Sequence, residues 1–509
     1  MRFNPEKKKY ISPISFFLIL IVIVIALSVI LSLLGVQADY LKINTVTKEV
    51  ESTTLAVESL FSVSSLRYIV SNTINNFVGF SPLAMLIVAL IGLGIAEKSG
   101  YLRTLLTIIT KKIDRKVLTF IIMLLGILSS VSDDLGFVLL IPISAYVFMY
   151  NKRSPLAGIV AAYAGITGGF GINLFVSAID SILINYTTMA ANMLDKNYAI
   201  ALSCTVIIMI VSTILVALVG TYVTEKIIVP KLGKYKGDEI DEDVVIYQSD
   251  IRGLLFALIA NLVMVLLFAY SIIPNLPGSG ILLDMTQKEY VNQLFGTNSY
   301  VTEGITLLFS FCFGVSGLFY SIGSGRRKEN KDIVVESVGN ISNIIVLMFF
   351  ASLLISLYRR TNIGNIIVIN LMNILDKVNF ASLPLVLLFL LLCMISTIFV
   401  SSNSTKWLLI SPIVVPIFMK ANISPEFVQT VFRFGTSITY GLSPFMPYFV
   451  LFIAYMQKYS KETKKVFSIN SCIRVMGIYS FAFLLTYLFI IVAWYVIKIP
   501  LGVGIYPTL

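Results

Sequence analysis

The chain has 509 residues, 57% of them hydrophobic and 13% charged, at a mean hydropathy of +0.91. That composition excludes a soluble globular domain and defines a polytopic membrane protein. The formal net charge is +11, but the basic residues cluster in short loops between apolar spans, as the positive-inside rule requires, so no nucleic-acid partner follows. The chain has no histidine, which removes imidazole metal ligands, His-based triads and His proton relays. Cys204, Cys312, Cys393 and Cys472 show no paired spacing, so neither a disulfide nor a metal centre is indicated, and no cofactor is expected.

In chain order, a basic start (Lys7, Lys8, Lys9) precedes the apolar span 13–35. That run is too long for a signal-peptide core and lacks a small-x-small cleavage site, so it reads as a retained helix with a cytoplasmic N-terminus. The more polar 37–76 is expected outside, a second span over about 77–96, and 101–113 is too short to cross and reads as interfacial. Segment 117–150 reads as a hairpin entering and leaving on the cytoplasmic side. The third span starts at Ser154-Pro155, Ser as cap and Pro at the first helical position. It meets Gly165, Gly168, Gly169 and Gly171 from about 15 Å along, the middle of a bilayer core of about 30 Å, which predicts a break there. Spans four and five, about 199–223 and 253–273, bracket a charged cytoplasmic loop at 226–250.

An outside loop, 274–302, leads to span six, ending near Ile322, and to span seven, about 338–358, with a short amphipathic segment 363–375 behind it. The second hairpin, 383–419, is expected to open outside. Its apolar arms flank a polar tip, Ser401-Ser402-Asn403-Ser404-Thr405. Span eight starts at Ser424-Pro425 and is expected to break near Gly435 to Pro444; span nine, about 477–496, leaves the C-terminus outside. Arg359 and Arg360 fall outside in this topology, against the charge rule.

The interval between Pro142 and Pro412, 412 − 142 = 270, holds without a gap through Phe175 and Phe445. It superposes Ser154 on Ser424, Pro155 on Pro425, Gly165 on Gly435 and Gly171 on Gly441, and places the first hairpin's Ser132-Asp133-Asp134 near the second tip. Shared Gly and Pro dictate backbone shape, and interrupted segments in corresponding halves point to a transporter binding site. The expected fold is an all-α polytopic membrane protein: nine transmembrane helices plus two re-entrant helical hairpins in inverted repeats, with broken helices at the midplane. Its parts are 1–76 (N-terminal helix and outside loop), 77–223 (first repeat half, hairpin 117–150, broken helix 154–190) and 224–251 (cytoplasmic loop). Then follow 252–335 (scaffold helices), 336–460 (second half, hairpin 383–419, broken helix 424–457) and 461–509 (C-terminal helix).

Several residues stand out chemically. Asp180 follows the first break, where an unpaired carboxylate is expensive; it reads as a substrate or proton-coupling residue, or as a plain helix cap. Arg433 lies about 12 Å into span eight, and a guanidinium there needs a carboxylate, from the protein or from a substrate. Trp407 flanks the second tip, as an interfacial anchor or a stacking surface for an aromatic substrate. Asn403, Ser404 and Ser132 offer neutral oxygens to a cation or substrate, or to freed backbone. Asp133 and Asp134 suit a cation, a proton or an ordinary N-cap.

Ordered motifs over nearly the whole chain resemble the p-aminobenzoyl-glutamate transporter (AbgT) family of the wider ion-transporter superfamily. They include Asn76-Phe-Val-Gly-Phe-Ser-Pro-Leu83, Gly92-Leu-Gly-Ile-Ala-Glu-Lys-Ser-Gly100, Gly168-Gly-Phe170 with Asn173-Leu174, Lys406-Trp407, Arg433-Phe-Gly435 and Pro444-Phe-Met-Pro-Tyr448. The resemblance implies a homodimeric inner-membrane transporter moving p-aminobenzoyl-glutamate or exporting sulfonamide antimetabolites with a proton or cation gradient. It places functional positions on Asp180, Ser404, Trp407, Pro425, Arg433 and Pro444, with Asn173 inside a shared motif. The family pattern after the Arg has Gly-Asp-Ser, where this chain has Gly435-Thr436-Ser437; Thr436 cannot carry a proton, which opens the identity of the coupling ion. A small anionic aromatic substrate is expected, with H+ or Na+ as coupling ion, the latter at the hairpin tips. The rivals are a sodium-coupled dicarboxylate transporter of the same superfamily, a polytopic membrane enzyme and a channel.

Overall fold

The computed structural model describes residues 11–43, 50–132, 135–233, 245–296, 298–325, 342–378, 382–462 and 468–509. The basic N-terminal segment, Asp133, Asp134, the start expected for span seven and the middle of the charged central loop lie outside the described residues.

Helix dominates because apolar runs of about 20 residues satisfy their own backbone hydrogen bonds and need nothing from lipid. Helix α1 (Pro13–Leu33) shows this: Pro sits in its first turn, and the Ser12 side chain accepts from the Ser15 N–H at 3.1 Å. Behind it, Gln37–Ile43 (β1) and Val50–Ala56 (β2) pair antiparallel, Gln37 opposite Ala56 and Ile43 opposite Val50. This small sheet corrects the all-α expectation. Valine and threonine at Val50, Thr53 and Thr54 are stiff at χ1 and favour strand over helix.

Helices α2 (Val63–Val78), α3 (Ser81–Lys98) and α4 (Tyr101–Lys112) follow, then the first helical hairpin, α5 (Arg115–Leu128) and α6 (Ile141–Tyr150). One 3-10 turn (Ser129–Ser132) and one π turn (Gly136–Leu140) fall between its arms. Next come α7 (Pro155–Gly168), α8 (Ala178–Ala191) and α9 (Val206–Val223). A π turn, Thr224–Ile228, carries α9 on to Leu232, so the helix continues past Lys226, where the charged loop was expected to begin. Its Glu225 pairs with Arg153, which also donates to the Thr119 hydroxyl at 3.1 Å.

Helices α10 (Gln248–Ser271), α11 (Val301–Gly323) and α12 (Ser342–Arg360) lead to α13 (Ile363–Met372) and to the second hairpin, α14 (Ser382–Phe399) and α15 (Asn403–Lys420). The chain ends with α16 (Pro425–Thr439), α17 (Phe449–Glu462) and α18 (Ile469–Ile497). Among the described residues, eight helical stretches are long and apolar enough to cross a membrane. One of them is α14, a hairpin arm, whereas the two interrupted spans are built from shorter pieces. Arg360 pairs with Glu58 at 2.6 Å and lies over the Tyr68 ring, 5.5 Å from its centroid, so it ties the end of α12 to the segment after the sheet.

Both helices leave regular geometry inside the stretches expected to break, after Gly168 and after Thr439, while Gly165 and Gly435 themselves stay helical and are contact points. A Cβ on Gly165 would stand 2.9 Å from the Met123 carbonyl oxygen, and one on Gly435 would stand 2.6 Å from the Cys393 Cβ. Each glycine lets its helix press against the first arm of its own hairpin. Met123 and Cys393 are themselves 270 positions apart.

Candidate transport site

The first interrupted helix runs as α7 to Gly168, leaves regular geometry over 169–177 and resumes as α8. The second runs as α16 to Thr439, passes one 3-10 turn at Tyr440–Leu442 and resumes as α17. The two breaks face each other, and their contacts come in pairs related by the interval of 270. The Arg433 Nε donates to the Gly171 carbonyl at 2.8 Å, and Tyr163, at the corresponding place, donates its hydroxyl to the Gly441 carbonyl at 3.2 Å. The Gly171 N–H donates to Ser437 Oγ at 2.7 Å; a Cβ on Gly441 would stand 2.7 Å from the oxygen of Thr167, the counterpart of Ser437. Phe170 and Tyr440, also counterparts, stack on each other at 3.9 Å between centroids. Contacts that map onto themselves when the two repeats are exchanged define a pseudo-two-fold axis, and it passes between those rings.

Beside this axis lies one charge pair. Arg433 Nη1 bonds Asp180 Oδ1, and both residues are buried, at 3% and 7% exposure. Asp180 Oδ2 accepts from both the N–H and the hydroxyl of Ser177 at 2.7 Å, closing a capping box at the start of α8. The carboxylate therefore caps a helix and neutralises a guanidinium at once. Gly171 is required here by space: its Cβ would stand 2.3 Å from the Arg433 carbonyl oxygen. A narrow crevice of only about 20 Å³ reaches the pair past Asn173, Leu202 and Thr205. The Asn173 Nδ2 donates to Ser130 Oγ at 3.1 Å, fastening the first break to the last residues of its hairpin arm.

The other expected residues are distributed as follows. Trp407 is fully buried, donates its indole N–H to Thr187 Oγ1 at 2.9 Å and packs on Phe432 at 4.5 Å between centroids. It neither anchors at an interface nor lies free for a substrate ring in this conformation. Asn403 is buried at the start of α15 and its Oδ1 finds no partner among the described residues. The Ser404 hydroxyl lies 3.4 Å from that of Ser402, the N-cap of α15. Thr436 donates back to the Phe432 carbonyl of its own helix at 2.9 Å. Pro425 opens α16 behind Ser424, whose hydroxyl accepts from the Phe427 N–H, whereas Ser154, at the equivalent cap before Pro155, makes no such bond. Pro444 lies in the irregular stretch before α17, next to Ser443, whose hydroxyl donates to the Ile398 carbonyl at 2.9 Å. Ser132 ends the 3-10 turn of the first tip. Asp133 and Asp134 fall outside the described residues.

One group escaped the sequence reading. Lys406 is fully buried; its ammonium donates to Thr397 Oγ1 on the opposite hairpin arm at 2.6 Å and lies 5.3 Å from the centroid of Phe432. A lysine directly behind the polar tip and ahead of an apolar arm was the available signal. Larger cavities, of about 420 Å³ and 280 Å³, flank the end of α12. Among the described residues no cluster of three His, Cys, Asp or Glu can hold a metal.

Membrane-crossing helices around two facing helix breaks, joined by a buried ion pair, define a multi-span membrane transporter. The chain belongs to the AbgT family: the model of the "AbgT putative transporter family" matches residues 8–509. It is 29% identical over 504 residues to the p-aminobenzoyl-glutamate transport protein of Escherichia coli (strain K12), spanning 98% of this chain and 94% of that one. Among solved structures it is similar to Neisseria gonorrhoeae MtrF, described within a class of antimetabolite efflux pumps. There the identity is 31% and the TM-score 0.50, over 99% of this chain and 97% of that one. It also resembles the YdaH transporter of Alcanivorax borkumensis, at 28% identity and a TM-score of 0.49 over 96% and 99% of the two chains. The family and these relatives transport rather than catalyse, so the membrane-enzyme reading is set aside.

Proposed function

We propose that this chain is a secondary active transporter that carries small anionic aromatic molecules across the inner, cytoplasmic membrane. Its cargo is p-aminobenzoyl-glutamate, sulfonamide-like antimetabolites, or both. It works as a homodimer of nine-span protomers with two re-entrant hairpins in inverted repeats, N-terminus in the cytoplasm and C-terminus outside. The names of the relatives support the cargo class, and the Asp180–Arg433 pair is the observation that carries the transport reading.

Coupling to a gradient requires a site whose neutralisation favours one conformation over another. A proton on Asp180 removes the only counter-charge bonded to Arg433 among the described residues. Since guanidinium does not shed its own proton, a buried Arg433 then drives the breaks toward an arrangement that rehydrates it. Arg433 also holds Gly171 of the first break, so the rearrangement reaches both repeats.

The test is transport of labelled p-aminobenzoyl-glutamate and of a sulfonamide in proteoliposomes, with proton and sodium gradients imposed separately. Wild type should accumulate cargo under the proton gradient, and Asp180→Asn should lose that response while still equilibrating cargo down its own gradient. Full gradient-driven accumulation by Asp180→Asn removes Asp180 from coupling. A second reading has one observation in its favour. Asn403 Oδ1 is a buried acceptor with no partner among the described residues, beside other tip oxygens, which suits a sodium ion. Accumulation only under the sodium gradient selects it.

A further inference from the structure

The ion pair leaves Arg433 with little to offer a substrate: its Nη1 is on Asp180 and its Nε on the Gly171 carbonyl. An anionic cargo needs another cation to meet it. Two adjacent arginines end α12, and they differ. Arg360 is engaged by Glu58 and Tyr68. The Arg359 side chain is exposed and makes no hydrogen bond or ion pair among the described residues, although the charge rule argues against its placement outside.

Arg359 lines both large cavities, which meet at Ile355 and Arg359. The larger alone has the volume of a small-ligand site. Neither cavity is lined by a carboxylate, while Asn75 and Asn76 on one side and Asn362 and Asn365 on the other supply neutral donors. Tyr358 borders the larger cavity. It is 8% exposed and its hydroxyl has no partner among the described residues; Gly364 makes room for it, since a Cβ there would stand 2.7 Å from that oxygen. The Tyr358 ring stacks on Phe445 of the second break at 3.8 Å, giving the cavity an aromatic wall.

We propose that Arg359, beside the aromatic wall of Tyr358 and Phe445, forms an anion-receiving site, where a carboxylate of an aromatic cargo is held before it reaches the helix breaks. The proposal rests on the reading of the cargo as an anionic aromatic. Ser402 and Thr405 of the second hairpin tip wall the same cavity, and Ser401 donates to the Phe445 carbonyl at 3.2 Å, so a bound anion touches the elements that have to move.

The experiment compares binding of p-aminobenzoyl-glutamate and of its uncharged bis-amide to the full chain in nanodiscs. Arg359→Gln should raise the Kd of the dianion about 10- to 100-fold, the weight of charge-assisted hydrogen bonds, and leave the bis-amide unchanged. Arg359→Cys should behave alike until aminoethyl methanethiosulfonate adds an ammonium and restores dianion binding; the sulfonatoethyl reagent should not. An unchanged dianion Kd in Arg359→Gln, or equal recovery with both reagents, overturns the site, as does a wild type that binds no aromatic carboxylate better than its amide. Arg359-dependent binding of benzoate together with no transport of p-aminobenzoyl-glutamate keeps the site and removes the cargo assignment.

Discussion

Arg433→Ala leaves Asp180 buried with only the Ser177 donors and leaves the Gly171 carbonyl without its donor. Breaking a buried ion pair from one side costs about 3–5 kcal/mol, and orphaning a buried acceptor about 1–3 kcal/mol. The expected loss, roughly 4–8 kcal/mol, is comparable to the whole stability of many proteins. The combined variant Asp180→Asn with Arg433→Tyr should behave differently. It removes both charges and gives position 433 the phenol that Tyr163 already uses to hold the other break. Replacing a buried pair by neutral groups of similar bulk is often near neutral, so this variant should unfold within about 2 kcal/mol of wild type. Denaturation in detergent micelles, followed by tryptophan fluorescence, measures the cycle, and proteoliposome transport measures function. The combined variant should be folded and unresponsive to gradients. Equal melting of Arg433→Ala and the combined variant refutes the brace, and wild-type accumulation by the combined variant refutes a coupling role for the pair.

Gly171→Ala should cost about 1–3 kcal/mol by overpacking and slow transport, because its Cβ would stand 2.3 Å from the Arg433 carbonyl oxygen. Gly477→Ala, where a Cβ meets nothing within 4 Å, is the control and should melt like wild type. Lys406→Met should leave the melting temperature unchanged or raise it. The ammonium gives up one hydroxyl bond and a ring contact, while the several kcal/mol of its desolvation disappear. A clear drop in melting temperature would mean that a counter-charge holds Lys406 in the folded protein.

Backbone punctuation made the fold's plan readable. Ser-Pro at helix starts and glycines at one register placed the two interrupted helices, because those residues act through local geometry. What glycine does there was less legible. Gly165 and Gly435 looked like break points, yet each admits a neighbouring helix, and a missing Cβ looks the same in sequence whether a turn or a close approach needs it. The strands at 37–56 were passed over because they are short and polar inside an apolar chain. Asp180 and Arg433 each declared a missing partner, since burial of either alone is costly. That they partner each other is a long-range fact, 253 residues apart. The surroundings of Trp407 were illegible for a related reason: its partners in this conformation are Thr187 and Phe432, which no local pattern near the tip identifies.

The near-symmetry of the two breaks gives an argument about the charges themselves. Where the second repeat has Arg433, the first has Tyr163, and both hold the facing break by a bond to a glycine carbonyl. Where the first repeat has Asp180, the second has Val450 by the interval of 270, or Leu451 counting from the helix start; both are apolar. A neutral phenol therefore suffices to brace such a break, and bracing does not explain a guanidinium with its carboxylate. Two buried charges are an expensive way to do what a tyrosine does. On the proposed function, their cost is met by a role that only charge can serve, the response of the breaks to a proton or to an ion. On that reading, the working asymmetry of this transporter lies at the positions where its two halves differ, beside an axis on which they otherwise agree.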